Sequence, residues 1–165
     1  YAFSVENWQR TKLEVEGLMK FLANFLEKEK DGLIKNRIRL QGLGRLENLP
    51  PKVASALAEV TEATKDGDRM TLRLALSYGG RQEILDGVHK ILADVESGKT
   101  KAADVDLSTI AASLYDPSMP DPDLIIRSAG EIRLSNFLLW LPCRIRRKDA
   151  KYSVPGCRPT TSSSA

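Results

Sequence analysis

The sequence predicts an α/β protein with a mostly parallel central sheet flanked by helices. Three observations carry this. Residues 70–77 alternate strictly, Met70, Leu72, Leu74 and Leu76 against Thr71, Arg73, Ala75 and Ser77, which is the period of a strand. Segments with apolar residues at helical spacing separate this strand from other short apolar runs, and alternation of strands with helices favours parallel pairing. The chain of 165 residues makes about one domain, long enough to bury a real core.

Taken in order, Tyr1-Ala2-Phe3 reads as the end of a buried strand, followed by a polar loop from Ser4 to Arg10. Thr11 is an N-cap with Glu14 at the capping-box position. The helix it opens runs to about Lys30, with Leu18, Phe21, Leu22, Phe25 and Leu26 on one face. Such a face is usually core; the sharper reading is a wall for an apolar ligand. Arg37 to Leu40 is a short strand ended by Gly42 and Gly44, and Pro50-Pro51 starts a helix that reaches Thr64. Asp66-Gly67-Asp68 is the turn before the alternating strand. Tyr78-Gly79-Gly80-Arg81 then leads into a helix from Gln82 to about Glu96, stopped by Ser97-Gly98. A further helix is expected around Leu107 to Leu114. After Pro117, Pro120 and Pro122, the run Leu124-Ile125-Ile126 reads as a short buried parallel strand.

Apolar residues at 42% and charged residues at 28% are ordinary for a soluble globular chain. No apolar run approaches the ~20 residues that span a bilayer, and no signal-peptide pattern opens the sequence. The net charge of +3 would suggest nucleic acid, but residues 141–165 hold six basic residues against one acid, a net +5. Residues 1–140 therefore carry −2, and nucleic-acid binding is not expected of the domain. Cys143 and Cys157 both lie in that tail, and His89 is the single histidine. Neither a disulfide framework nor a histidine-based metal site is expected.

In a parallel sheet the loops that follow strands share one edge, and ligands bind there. The loops Ser4–Arg10, Tyr78–Arg81 and Arg127–Asn136 would bring Arg10, Arg81, Arg127 and Arg133 to one rim. Asn7, Ser135 and Asn136 are neutral partners there, and Glu6 and Glu131 are the carboxylates. Forked guanidinium groups beside hydroxyls and a glycine turn are what a bound phosphate or diphosphate needs. On these residues alone, a surface loop whose arginines pair with Glu131 and Asp123 remains an equal alternative. No phosphate loop or dinucleotide fingerprint occurs, since Gly42-x-Gly44 lacks the third glycine.

Three motifs taken together resemble the cis-prenyltransferases, most closely the undecaprenyl diphosphate synthases. They are Tyr1-Ala2-Phe3-Ser4-Val5-Glu6-Asn7-Trp8-Gln9-Arg10, Ser77-Tyr78-Gly79-Gly80-Arg81 with serine in place of the usual asparagine, and Pro120 to Trp140. The resemblance implies condensation of isopentenyl diphosphate onto an allylic diphosphate, such as farnesyl diphosphate, with a new Z double bond. It implies that Arg127, Arg133 and Ser135 hold isopentenyl diphosphate, that Arg10 holds the allylic diphosphate, and that Glu131 steadies the loop. Asn7 and Trp8 would shape the reacting site, and Gly79, Gly80 and Arg81 would support it. Mg²⁺ is the implied cofactor, and the apolar face of the first helix the implied tunnel for the growing chain. A cytoplasmic homodimer in peripheral contact with the membrane is the implied setting. The alternatives are a branched, short-chain condensation, a non-catalytic subunit of a heteromeric enzyme, and a nucleotide- or phosphosugar-binding domain.

The chain departs from the family in two places. The motif that would precede Tyr1, carrying the Mg²⁺ aspartate and the first strand, is absent, so the sheet is expected to be incomplete at its N-terminal side. After Trp140 the likeness stops, and residues 141–165 are a basic, Pro/Ser/Thr-rich tail expected to be disordered, of the kind a shifted reading frame produces. Residues 1–140 form the expected partial domain, with both metal carboxylates missing and little activity on its own.

Overall fold

The structure, a computed structural model, describes residues 1–125 and 134–140. Three parallel strands form the sheet: β1 (Phe3–Ser4), β2 (Ile38–Leu43) and β3 (Met70–Tyr78), in the order β1-β3-β2. Ile38 pairs with Met70 and Leu43 with Ala75, while Phe3 pairs with Leu76 and Ser4 with Tyr78. All three strands thus end at the same edge of the sheet, as parallel pairing requires.

Helices α1 (Lys12–Lys35) and α2 (Pro51–Ala63) cover one face. Met19, Leu22, Ala23 and Leu26 of α1 meet Val53, Ala56, Leu57 and Val60 of α2 over Phe3, Leu40 and Leu76. On the other face Leu43, Ala75 and Tyr78 pack against Tyr115, Met119, Phe137 and Leu138. Helix α3 (Gly80–Glu96) leaves β3 after one residue, and α4 (Leu107–Ser113) packs on it where Gly87 faces Ser113. Burial on both sides explains why β3, alternating in sequence, has four consecutive buried residues from Ala75 to Tyr78.

The capping box at Thr11 forms as expected: the Glu14 N–H donates to the Thr11 hydroxyl and the Thr11 N–H to the Glu14 carboxylate. The helix continues past Lys30 to Lys35, through Gly32. The stop comes at Asn36 and at Arg37, which takes a left-handed φ of 57°. Strand β2 also outruns its expected end. Gly42 lies inside it because a Cβ there would come within 2.7 Å of Leu46 and 3.0 Å of Leu57. The glycine marks close approach of the neighbouring chain, not a turn. Gly44, at φ 121°, is the residue that ends the run; a Cβ there would lie 2.3 Å from the Leu76 carbonyl.

The strand expected at Leu124-Ile125-Ile126 is not formed by its described residues. Leu124 and Ile125 lie in no strand, and Leu124 is 60% exposed; Ile126 is outside the described residues. A three-residue run needs a sheet edge beside it. The edges here are β1 and β2, and neither pairs with Leu124 or Ile125.

Candidate functional site: a cleft at the carboxyl edge of the sheet

Because Ser4 pairs with Tyr78, the chain leaves β1 and β3 side by side. From β1 it enters a one-turn 3-10 helix, Val5–Gln9, and from β3 the N-terminus of α3. Residues 134–136 close the third side. Between them is a cleft of about 540 Å³, lined by Tyr1, Ala2, Phe3, Ser4, Glu6, Asn7, Arg81, Ser135 and Asn136.

Asn136 ties the three segments together. Its carbonyl accepts from the Gly80 N–H at 2.6 Å and its Oδ1 from the Arg81 N–H at 2.9 Å, so it satisfies two of the orphan amides that open a helix. Its Nδ2 donates to the Glu6 carboxylate at 2.7 Å and to Gln82 Oε1 at 3.2 Å. Ser135 and Asn136 have φ of 47° and 61°, and Asn is one of the few residues that takes this conformation readily. The two glycines before Arg81 are the other half of the joint. A Cβ on Gly79 would lie 2.6 Å from Asn136 Nδ2, and one on Gly80 would lie 2.9 Å from the Leu139 backbone nitrogen. Two motifs 55 residues apart are therefore one interlocked unit.

Partial burial, the largest single influence, would raise the Glu6 carboxyl. Its own backbone N–H, the Asn136 amide, Ser4 and the Arg81 charge outweigh that and hold it below the ordinary value. The cleft thus carries one ionised carboxylate and one exposed guanidinium among its described walls.

Of the residues expected at the site, Asn7 and Ser135 lie on the cleft wall, and the side-chain Oδ1 of Asn7 accepts from the Ser4 N–H at 2.8 Å. Trp8 is turned the other way. Its indole N–H donates to the buried Ser77 hydroxyl at 3.0 Å, and its ring meets Phe3 edge-on at 4.8 Å, so it pins the turn to the core. Arg10 ends that turn, exposed, its N–H donating to the Asn7 carbonyl; it is not part of the cleft wall. Arg127, Glu131 and Arg133 lie outside the described residues. Arg81, expected as support, lines the cleft itself. The tie made by Asn136 went unread in the sequence, though an Asn after a serine and before an apolar run is a signal for left-handed backbone.

The apolar face of α1 divides. Leu22 and Leu26 are core, whereas Leu18, Phe21 and Phe25 remain exposed, Phe21 at 69%. Among the described residues no group of three His, Cys, Asp or Glu side chains could hold a metal ion, and Glu6, the carboxylate of the cleft, already accepts from Asn136. The described residues by themselves therefore supply no complete ligand set for Mg²⁺. Among them, too, no helix is long and apolar enough to cross a membrane.

Comparison with known proteins gives these motifs a family. A family model described as putative undecaprenyl diphosphate synthase matches residues 1–146, a few residues beyond Trp140. An isoprenyl transferase of Thermotoga maritima is 51% identical over 140 residues, covering 85% of this chain and 59% of that protein. A tritrans,polycis-undecaprenyl-diphosphate synthase (geranylgeranyl-diphosphate specific) of Thermococcus kodakarensis is 47% identical over 142 residues, 85% of this chain and 54% of its own length. The chain thus spans somewhat over half the length of these relatives. Among solved structures, lavandulyl diphosphate synthase from Lavandula x intermedia, in complex with dimethylallyl diphosphate, superposes with a TM-score of 0.82 at 35% identity. That match covers 85% of this chain and 61% of the other. A probable undecaprenyl diphosphate synthase from Campylobacter jejuni gives 0.74 at 35% identity, over 85% and 63%. The mostly parallel, helix-flanked fold is therefore that of the cis-prenyltransferases, and the chain belongs to the undecaprenyl diphosphate synthase family of prenyltransferases.

Proposed function

We propose that this chain is part of a transferase that condenses isopentenyl diphosphate onto an allylic diphosphate, such as farnesyl diphosphate, with Z geometry. The product would be a polyprenyl diphosphate, precursor of a lipid carrier. The observation that carries the proposal is the cleft itself: the segments after β1 and β3 and the segment 134–136 meet there, with Asn7, Arg81 and Ser135 on its walls. In the condensation the allylic C–O bond breaks and diphosphate leaves with the electron pair. The isopentenyl double bond attacks the allylic carbon, and a proton is lost to set the new double bond. What the protein must supply is fixed positive charge and N–H donors where charge gathers, placed in advance.

Ser135, with Arg127 and Arg133 a few residues before it, would hold isopentenyl diphosphate, and Glu131 would steady that loop. Arg10 would hold the allylic diphosphate, and Asn7, its carbonyl end fixed by the Ser4 N–H, would offer its amide to the departing group. Trp8 would act from beneath by fixing the turn that carries both. The exposed Leu18, Phe21 and Phe25 begin about 9 Å along α1 from Lys12 and offer an apolar track for the growing chain. Mg²⁺ finds no ligand set among the described residues, so no step here runs through it. Homodimeric assembly of the intact protein and contact with the membrane surface belong to the same reading.

Calorimetric titration of isopentenyl diphosphate into this chain and into its Arg127→Ala/Arg133→Ala variant tests the proposal. Binding by the first that is lost in the second is the expected result. Equal binding by both would overturn the assignment of the site.

A further inference from the structure

We infer that Asn136 is a positioning residue: its side-chain amide docks residues 134–136, with Ser135 on the cleft wall, onto the N-terminus of α3 and onto Glu6, and so sets the affinity for a diphosphate. The inference rests on the proposed function for the identity of the ligand, but the joint stands on geometry alone. Four hydrogen bonds meet at this one residue, to Gly80, Arg81, Glu6 and Gln82, three of them through its side chain. They join segments 130 and 55 residues away in sequence. Both sides of the amide are used: among the described residues Oδ1 accepts from a backbone N–H and Nδ2 donates to side-chain oxygens, so the orientation of the amide is dictated by its partners. Neither aspartate nor leucine could make the same set. The left-handed φ of 61° and the room left by Gly79 are further requirements that asparagine meets.

The consequence for binding follows from covalent reach. Ser135, on the cleft wall, is the direct neighbour of Asn136. A joint that holds Asn136 to about a hydrogen bond's tolerance therefore fixes where Ser135 meets the cleft. It spares the ordering cost on binding a diphosphate. The bond to Glu6 does a second thing: it ties the carboxylate on the cleft wall to the same residue.

The test is a charge exchange. Asn136→Asp keeps the acceptor for the Arg81 N–H but has no donor for Glu6, and sets two carboxylates in contact. Asn136→Asp combined with Glu6→Gln restores the link, since the glutamine amide donates to the new carboxylate. Isopentenyl diphosphate titration should show about a ten-fold or greater loss for the single variant, the scale of one charge-assisted hydrogen bond, and recovery to within about three-fold for the double. A single variant that binds like the parent, or a double that stays as weak as the single, would overturn the inference. Amide hydrogen exchange is read in parallel. Protection of the Arg81 N–H should be present in the parent, remain in Asn136→Asp and fall in Asn136→Ala. If the parent binds no isopentenyl diphosphate, the proposed function fails, and the joint is judged by exchange alone: Arg81 protection unchanged in Asn136→Ala would overturn it.

Discussion

Gly80→Ala should destabilise this protein, although the local rule for helices predicts the opposite. Gly80 is the first residue of α3, where replacing glycine with alanine in an isolated helix gains roughly 0.5–1 kcal/mol. The tertiary structure reverses the sign. The new methyl would lie 2.8 Å from Leu139 Cγ, 2.9 Å from the Leu139 nitrogen and 3.0 Å from its Cβ. Because one of these atoms is backbone, a rotamer change cannot relieve the contact. The segment after Asn136 has to move, and overpacking of this kind costs about 1–3 kcal/mol. The net expectation is a loss of about 0.5–2 kcal/mol, or a fall of a few degrees in Tm for a chain of this size, at roughly 2–4 °C per kcal/mol. Urea unfolding followed by circular dichroism measures it. Because the segment that moves carries Ser135 and Asn136, diphosphate affinity should fall with stability. A Gly80→Ala variant as stable as the parent, or more so, would refute the claim that the Gly79-Gly80 pair exists to admit the 136–139 segment.

Other predictions concern the core, the cleft and the whole reaction. Burial pushes the Glu83 carboxyl above its ordinary value of 4.5, against the Tyr78 hydroxyl and the Tyr115 N–H, which pull it down. The folded state therefore holds this proton to higher pH than the unfolded chain. The stability it contributes is full below pH 4.5 and is lost as pH rises through the folded value. Glu83→Gln should remove that slope, so the difference in unfolding free energy between parent and variant must change with pH; a difference flat from pH 4 to about 8 would refute it. Phe21→Glu, at a side chain 69% exposed, should change stability by no more than about 0.5 kcal/mol while weakening binding of long allylic diphosphates but not of inorganic diphosphate. Leu26→Ala, fully buried between α1 and the sheet, should cost about 2–5 kcal/mol by urea unfolding. Radiolabelled condensation assays on this chain alone should give little or no polyprenyl product; appreciable chain elongation would show that the residues present suffice.

Much of the local structure was written in the sequence by itself. Thr11 and Glu14 mark the start of α1, Pro50-Pro51 that of α2, and the alternation from Met70 announces β3, because caps, proline and side-chain period act over a few residues. The family was legible for the same reason: its motifs are short runs with fixed spacing. Glycine meant different things at different places, and only packing told them apart. Gly42 admits Leu46 and Leu57 within a strand, Gly32 is carried inside α1, and Gly79 and Gly80 admit a segment more than 50 residues away. The division of the α1 face was likewise decided by what α2 and the sheet could cover: Leu22 and Leu26 but not Phe21, since helical spacing defines a stripe without saying how wide its partner is. The run at Leu124 shows the converse, apolar residues whose described part pairs with neither edge of the sheet. Above all, the sequence could place Asn7, Arg81, Ser135 and Asn136 on loops that follow strands. That one asparagine joins those loops depends on hydrogen bonds across 130 residues, and contacts of that range exist only once the sheet has brought its carboxyl ends together.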